Sequence, residues 1–410
     1  MNQIGRAWRV LREQGAHFVI QKLVVRLFPH VLARPSALHY ADALEVDWRE
    51  PHPSASNPAP VLGPAGISGE KLTVAWVMSP PGVNSGGHQN IFRFMKFLED
   101  AGHTVRIYLY SAIDPHTPAE VAAMIARSSS YPTLRATIER YPAEGIPADV
   151  QALFATDWPT AYRSYRDTSL ARRYYFVQDF EPLFYPMGTE AVLAENTYRF
   201  GFFGITAGHW LATKLSRDYG MRTAGYDFGS EVSNYSYLNS GERREVFFYA
   251  RPETPRRGFE LGIMALDLFS RERPDHRIVM AGQDVRRLRI PFRYENPGNV
   301  QVGRLNELYN RCAAGLVLSL SNMSLLPLEL LSAGVIPVVN DGENNRLVSD
   351  NPFIEYTPPI PRALADRLIS IVDRTDLPQH ALLASRSVEQ SSWEHSGEQF
   401  LAAFERGMRG

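Results

Sequence analysis

The feature that most narrows the fold of this sequence is an unbroken alternation of short apolar runs with helix-period segments from Leu72 onward. Residues 72–78 (LTVAWVM) form a nearly continuous apolar run, as a strand buried on both faces requires. Residues 86–100 follow, with Ile91, Phe94, Met95 and Leu98 on one helical face. Residues 104–109, 152–156, 174–177 and 202–205 read as further strands of a first series. A second series comprises 245–249, 277–280, 315–319 and 335–339, separated by helical patterns at 259–269, 305–312 and 325–333. Strands that alternate with helices pair in parallel, because a same-direction return needs a crossover long enough to hold a helix. The polar break at 237–244 (YLNSGERR) divides the series. It predicts an α/β protein of two doubly wound domains, 71–240 and 241–390, facing a cleft. An eight-fold barrel is the rival that length alone allows.

Two domains also suit a chain of 410 residues. Its 43 basic and 44 acidic residues leave a formal charge of −1, so no global field draws it to nucleic acid. The one cysteine, Cys312, excludes an internal disulfide framework and a cysteine-built metal centre, and points to a reducing compartment. No apolar run reaches the ~20 residues a membrane span needs, and the N-terminus does not read as a signal peptide. The expectation is a cytoplasmic protein. Residues 1–70 read as an extension. Its first 40 residues carry six Arg/Lys against Glu13, with apolar side chains at helical spacing over 10–28. That is either a basic amphipathic helix for an anionic inner leaflet or a terminal helix packed on the body. Pro51, Pro53, Pro58, Pro60 and Pro64 then mark a linker.

Open parallel sheets bind ligands beyond the carboxyl ends of their strands. Beyond the first strand, 79–90 (SPPGVNSGGHQN) places Gly86 and Gly87 at a helix start, where backbone N–H groups can approach an anion. His88 beside them either contacts a reacting group or only opens the helix. The loop is neither G-x-G-x-x-G nor a P-loop. Beyond residue 249, ARPETPRRG brings Arg251, Arg256 and Arg257 to the mouth of a helix. Guanidinium groups give planar two-point grips on phosphate; ion pairs with Glu253 or Glu260 are the alternative. Beyond residue 320, SNMSLLPLE sets Glu329 between Leu328 and Leu330. A carboxylate in an apolar helix needs partners to stay ionised, and sugar or ribose hydroxyls are suitable donors. D-x-D, H-E-x-x-H and G-x-S-x-G patterns do not occur.

At these residues the sequence resembles the retaining glycosyltransferases of family 4, which have the two-domain GT-B fold. The likeness lies in the order of the Gly-Gly loop, the arginine loop opening the second half, and a segment running through Pro-Leu-Glu to Ala-Gly-Val-Ile-Pro-Val-Val. More narrowly, 174–188 (YYFVQDFEPLFYPMG) and 249–261 (YARPETPRRGFEL) are similar to bacterial rhamnosyltransferases of the WsaF type, which build surface polysaccharides or S-layer glycans. The resemblance spans about residues 70–390 and implies a nucleotide-sugar in the C-terminal half and an acceptor in the N-terminal half. Arg251 and one of Arg256 and Arg257 match the basic pair on the donor diphosphate. Glu329 matches the second glutamate of an E-x7-E pattern, which meets the ribose. Ser321 stands where the first would be, so donor sugar identity stays open. Arg304 lies near a further basic position close to the phosphates. Gly86, Gly87, Leu325 and Leu326 are expected on the donor side, and His88 and Asp179 on the acceptor side. The implied reaction is transfer with retention, without metal or other cofactor, from dTDP-rhamnose or a similar donor to a glycan or lipid-linked saccharide. A C-terminal helix, within 391–410, is expected to cross back to the first domain. A nucleotide-sugar epimerase of the same fold and a non-catalytic sugar-nucleotide-binding module are the rivals.

Overall fold

The computed structural model describes residues 42–44, 46–52, 71–82, 85–111, 116–229 and 234–409. The amphipathic pattern over 10–28 and most of the proline-rich stretch lie outside the described residues. Two sheets organise the rest, every pairing in them parallel. The first holds β1 (Thr73–Met78), β2 (Thr104–Leu109), β3 (Thr137–Arg140), β4 (Ala152–Ala155), β5 (Arg172–Val177), β6 (Phe203–Ala207) and β7 (Thr223–Tyr226), in the order β3-β2-β1-β4-β5-β6-β7. The second holds β8 (Glu245–Ala250), β9 (Arg277–Gly282), β10 (Tyr294–Gly298), β11 (Cys312–Val317), β12 (Ile336–Asn340) and β13 (Glu355–Thr357), in the order β10-β9-β8-β11-β12-β13. Both sheets reverse winding beside their first strand, between β1 and β4 and between β8 and β11. Loops diverge at those two points and leave a crevice.

Central strands follow the apolar runs closely: β4, β5, β6, β11 and β12 are buried at every position. The strands that the pattern did not announce are the outer ones, β3 (TIER), β7 (TAGY), β10 (YENPG) and β13 (EYT). An edge strand is paired on one side only and tolerates charge or proline, so it carries no apolar run. One boundary is corrected. The helix expected at 305–312 is Val302–Tyr309, and Cys312 instead opens β11, which ends at Val317 rather than Ser319. Cys312, Ala313 and Ala314 are small and fully buried, and suit either element until a sheet partner decides.

The linker reading also changes at its near end. Asp42 pairs with Arg166 at 2.6 Å, and the His52 amide donates to the Phe200 carbonyl at 2.8 Å. Asp42 and His52, the latter directly after the first proline of the linker, are therefore docked on the first domain.

Of the helices, α1 (Gly86–Asp100) follows β1, α2 (Phe259–Glu272) follows β8, α3 (Leu326–Ser332) follows β11, and α4 (Trp393–Arg409) closes the described chain. Although α4 comes after the second domain, it packs on the first. The Phe400 ring lies 4.8 Å from that of Phe94, and the Tyr174 hydroxyl donates to the Phe404 carbonyl at 2.7 Å. Gly407 permits the approach, since a Cβ there would stand 2.5 Å from the Tyr174 ring.

Candidate functional site

The two loops at the β8/β11 crossover build the site. Arg251 directly follows β8; its Nη1 donates to the Tyr249 hydroxyl at 3.0 Å, while its buried Nε has no hydrogen-bond partner among the described residues. The chain then makes a 3-10 turn, Pro255–Arg257, and enters α2 through Gly258 at φ +57. That left-handed conformation favours glycine, and a Cβ there would also press on Leu318 at 3.3 Å.

Arg256 and Arg257 leave this turn in different environments. Arg257 turns inward, donating to Ser319 Oγ at 3.0 Å and the Asn322 carbonyl at 3.3 Å. Burial lowers its pKa, opposed first by the Asp179 carboxylate; an arginine so placed keeps its charge. Arg256 reaches across to the first domain. Its guanidinium carbon sits 4.0 Å from the centre of the Phe184 ring, and its Nε lies 3.4 Å from Asp179 Oδ2.

Asp179, just beyond β5, is where the two domains meet. Its Oδ2 accepts from Ser321 Oγ at 3.0 Å, and its Oδ1 from the Asn322 amide at 3.0 Å and the Phe180 amide at 2.8 Å. Asn322 Nδ2 returns the contact, donating to the carbonyls of Gln178 and Ala207. Burial pushes the Asp179 pKa up, and Arg257, Arg256 and the Ser321 hydroxyl oppose it. Expected to face an acceptor, this carboxylate is buried, with both oxygens engaged at the domain boundary. Ser321 is fully buried as its partner. Arg256 and Arg257 thus share one carboxylate, and Arg251 adds a third guanidinium within electrostatic reach of Arg257, a setting suited to a multivalent anion.

Beyond Asn322 the loop carries Ser324 at φ +67, the one non-glycine residue with positive φ among those described. Strain of this kind persists where surrounding contacts enforce it, and clusters at ligand sites. Leu325 precedes α3, and its carbonyl accepts from the Leu328 and Glu329 amides. Leu325, Leu326 and Glu329 are half-buried. Glu329 sits in the first turn of α3, where the helix dipole favours a negative charge, and the Tyr309 hydroxyl approaches its Oε2 at 3.5 Å. Arg304 is separate from this cluster: its side chain is 72% exposed and pairs with Glu307 at 3.5 Å.

Across the cleft, α1 begins at Gly86 without a side-chain cap. A Cβ at Gly86 would meet nothing within 4 Å, and one at Gly87 only Gln178 Nε2 at 3.6 Å. The fold itself does not require either glycine. His88 Nε2 lies 3.2 Å from the Ser79 carbonyl and Nδ1 2.9 Å from Ser85 Oγ. A carbonyl only accepts, so Nε2 carries the proton and Nδ1 accepts from the serine. Burial lowers the ring's pKa and keeps it neutral near pH 7. Sequence reasoning passed over Glu181. Burial and the Asp157 charge push it up to about 8. It accepts from the Trp158 amide at 2.8 Å and the Tyr175 hydroxyl at 2.6 Å, and so roots the turn Glu181–Phe184. The signal available was an acid inside the aromatic run FEPLFY, which can be buried only with dedicated donors.

A family model described as the WsaF C-terminal domain matches residues 244–369, the stretch that carries Arg251, Arg256, Arg257 and Glu329. The O-antigen biosynthesis protein RfbC of Myxococcus xanthus is 29% identical over 373 residues, covering 88% of this chain and 29% of that protein. The chain thus spans less than a third of this curated relative. Among solved structures, a TarM variant from S. aureus, in complex with Fondaparinux, alpha-GlcNAc-glycerol and UDP, has a TM-score of 0.63 at 8% identity, covering 83% of this chain and 100% of that one. Anabaena HepE in complex with UDP-glucose has a TM-score of 0.60 at 12% identity, covering 82% of this chain and 100% of that one. The fold is GT-B.

Proposed function

We propose that the protein is a glycosyltransferase that moves a sugar from a nucleoside-diphosphate donor to a saccharide acceptor during synthesis of a bacterial surface glycan. The observation that carries this reading is the arginine cluster at the β8/β11 crossover, with a buried Arg251 Nε that has no hydrogen-bond partner among the described residues and with Asp179 as the carboxylate close to Arg256 and Arg257. A diphosphate supplies the missing acceptors. Further support comes from the family match across this loop, the O-antigen role in the name of the M. xanthus relative, and the UDP and UDP-glucose bound in two structures of the same fold.

In this reading the sugar–phosphate bond breaks with its electron pair going to the β-phosphate, where the guanidinium groups stabilise the growing charge. The acceptor oxygen bonds to the anomeric carbon from the face that the diphosphate leaves, and its proton passes to a leaving-phosphate oxygen. Configuration is retained. Glu329 accepts from ribose hydroxyls. A 6-deoxy sugar on a dTDP carrier, such as rhamnose, is the donor proposed from the motif likeness, and a glycan or lipid-linked saccharide at the cytoplasmic face of the inner membrane is the acceptor. Among the described residues no helix is long and apolar enough to cross a membrane.

The test is release of nucleoside diphosphate from a panel of nucleotide-sugars, with and without saccharide acceptors. Release that needs an acceptor is expected; turnover without one would favour the epimerase. Because the arginines supply the positive charge that a divalent cation supplies elsewhere, transfer is expected to continue in excess EDTA. Activity lost in chelator and restored by magnesium would overturn that part.

Glu329→Gln turns one acceptor oxygen into a donor at nearly constant volume. Binding of a ribonucleoside diphosphate, measured by calorimetry, should weaken roughly 10-fold or more, as for a hydrogen bond to a charged group. The 2′-deoxy form should lose less. Unchanged affinity with a lowered melting temperature would make Glu329 structural.

A further inference from the structure

Arg256 and Arg257 are neighbours in sequence and both feel the Asp179 charge, yet the hydrogen bonds of one and the aromatic contact of the other come from different domains. Arg257 is held within its own domain, by Ser319 and the Asn322 carbonyl. Arg256 makes no guanidinium hydrogen bond among the described residues. The groups that meet it belong to the first domain: the Phe184 ring, with the guanidinium carbon 4.0 Å over its centre, and Asp179 at 3.4 Å from its Nε. Phe184 ends the 3-10 turn Glu181–Phe184. Glu181, three residues earlier, is buried and takes donors from Trp158 and Tyr175. Phe184 nevertheless remains 37% exposed, an aromatic residue whose ring meets a cation from the opposite domain. A ring stacked on the face of a guanidinium leaves the N–H edges free for an anion and fixes the plane in which they point.

We infer that Phe184 is a positioning residue that the acceptor domain lends to the anion site: closure of the cleft, and not the second domain alone, sets Arg256 in place. Arg257 and Arg251 form the permanent part of the grip, and Arg256 joins it when the turn Glu181–Phe184 is against the turn Pro255–Arg257. This rests on the reading of the arginine loop as a diphosphate site, and extends it by making that site a two-domain device. Preorganisation of this kind raises affinity by reducing the ordering cost at binding.

The experiment is a double-mutant cycle read by calorimetric titration of inorganic pyrophosphate, UDP and dTDP into the full chain. Phe184→Ala should weaken anion binding roughly 2- to 30-fold, the range of a partly desolvated cation–π contact. In an Arg256→Ala background the same change should cost almost nothing, because the two act as a unit. Phe184→Trp should retain binding, and Phe184→Leu, which keeps bulk without a π face, should resemble Phe184→Ala. The melting temperatures of the Phe184→Leu and Phe184→Trp variants should stay near that of the parent, because both keep the apolar bulk of a side chain that is 37% exposed. Equal losses from Phe184→Ala in both backgrounds, no loss in the parent, or full retention by Phe184→Leu would overturn the inference and leave the arginine-loop reading standing. An Arg256→Ala variant that binds all three anions like the parent would likewise overturn the inference alone, because Arg251 and Arg257 would remain as the grip; a parent that binds none of them would overturn both.

Discussion

Arg251→Ala is expected to lower turnover by roughly 10- to 150-fold while the melting curve of the protein barely moves. A charge-assisted hydrogen bond to a phosphate contributes about 1.5–3 kcal/mol, and here it should count mostly in the transition state, where charge gathers on the leaving group. The folded protein draws little on this side chain. Among the described residues its side chain donates to the hydroxyl of Tyr249, two residues away, and its buried Nε has no hydrogen-bond partner. Removing the guanidinium therefore deletes a cost of burial along with the local contact. Arg251→Lys keeps the charge but loses the planar fork, and should recover only part of the loss. Steady-state release of nucleoside diphosphate gives the comparison, with kcat expected to fall more than KM rises. A variant that keeps near-parental kcat would place Arg251 outside the reaction.

Ending the chain after Gln390 is expected to abolish the folded state. The lost helix α4 contributes Trp393, Phe400, Phe404 and Met408, all buried at 6% exposure or less. At about 1.5–3 kcal/mol for each large apolar side chain, they supply roughly 6–12 kcal/mol, against a net stability that for most proteins is about 5–15 kcal/mol. The truncation would also uncover Phe94 and Tyr174 and remove the carbonyls that receive the Tyr174 hydroxyl and Arg172 Nε. Near-ultraviolet circular dichroism and soluble yield provide the check. A truncated protein that melts like the full chain would mean that the first domain is stable without its last helix. The milder Phe400→Ala should cost about 3–5 kcal/mol.

The two domains were legible because central parallel strands are buried on both faces and so read as apolar runs; β1, β5 and β12 stand out for that reason. Edge strands such as Tyr294–Gly298, with Pro297 within it, carry no such mark. In the site, the arginine loop and Glu329 were visible because charge at a strand end or inside an apolar helix is chemically conspicuous. The partners were not. Asp179 and Ser321 are 142 positions apart and meet only through domain packing, and spacing along a chain carries no information about such a contact. Arg304 shows the converse: a basic residue within a motif whose contacts place it at the surface.

By itself the sequence determined which segments are the central strands and their helices and which loops carry positive charge. Those properties are local, set by side-chain periodicity and by the few residues that follow each strand. Tertiary structure alone decided which side chains the last helix meets on the first domain, that Asp179 serves as an internal countercharge, and that Arg256 lies over the Phe184 ring. Each of these depends on two surfaces remote in sequence coming together, and the energy of such a contact exists only once both are folded and docked.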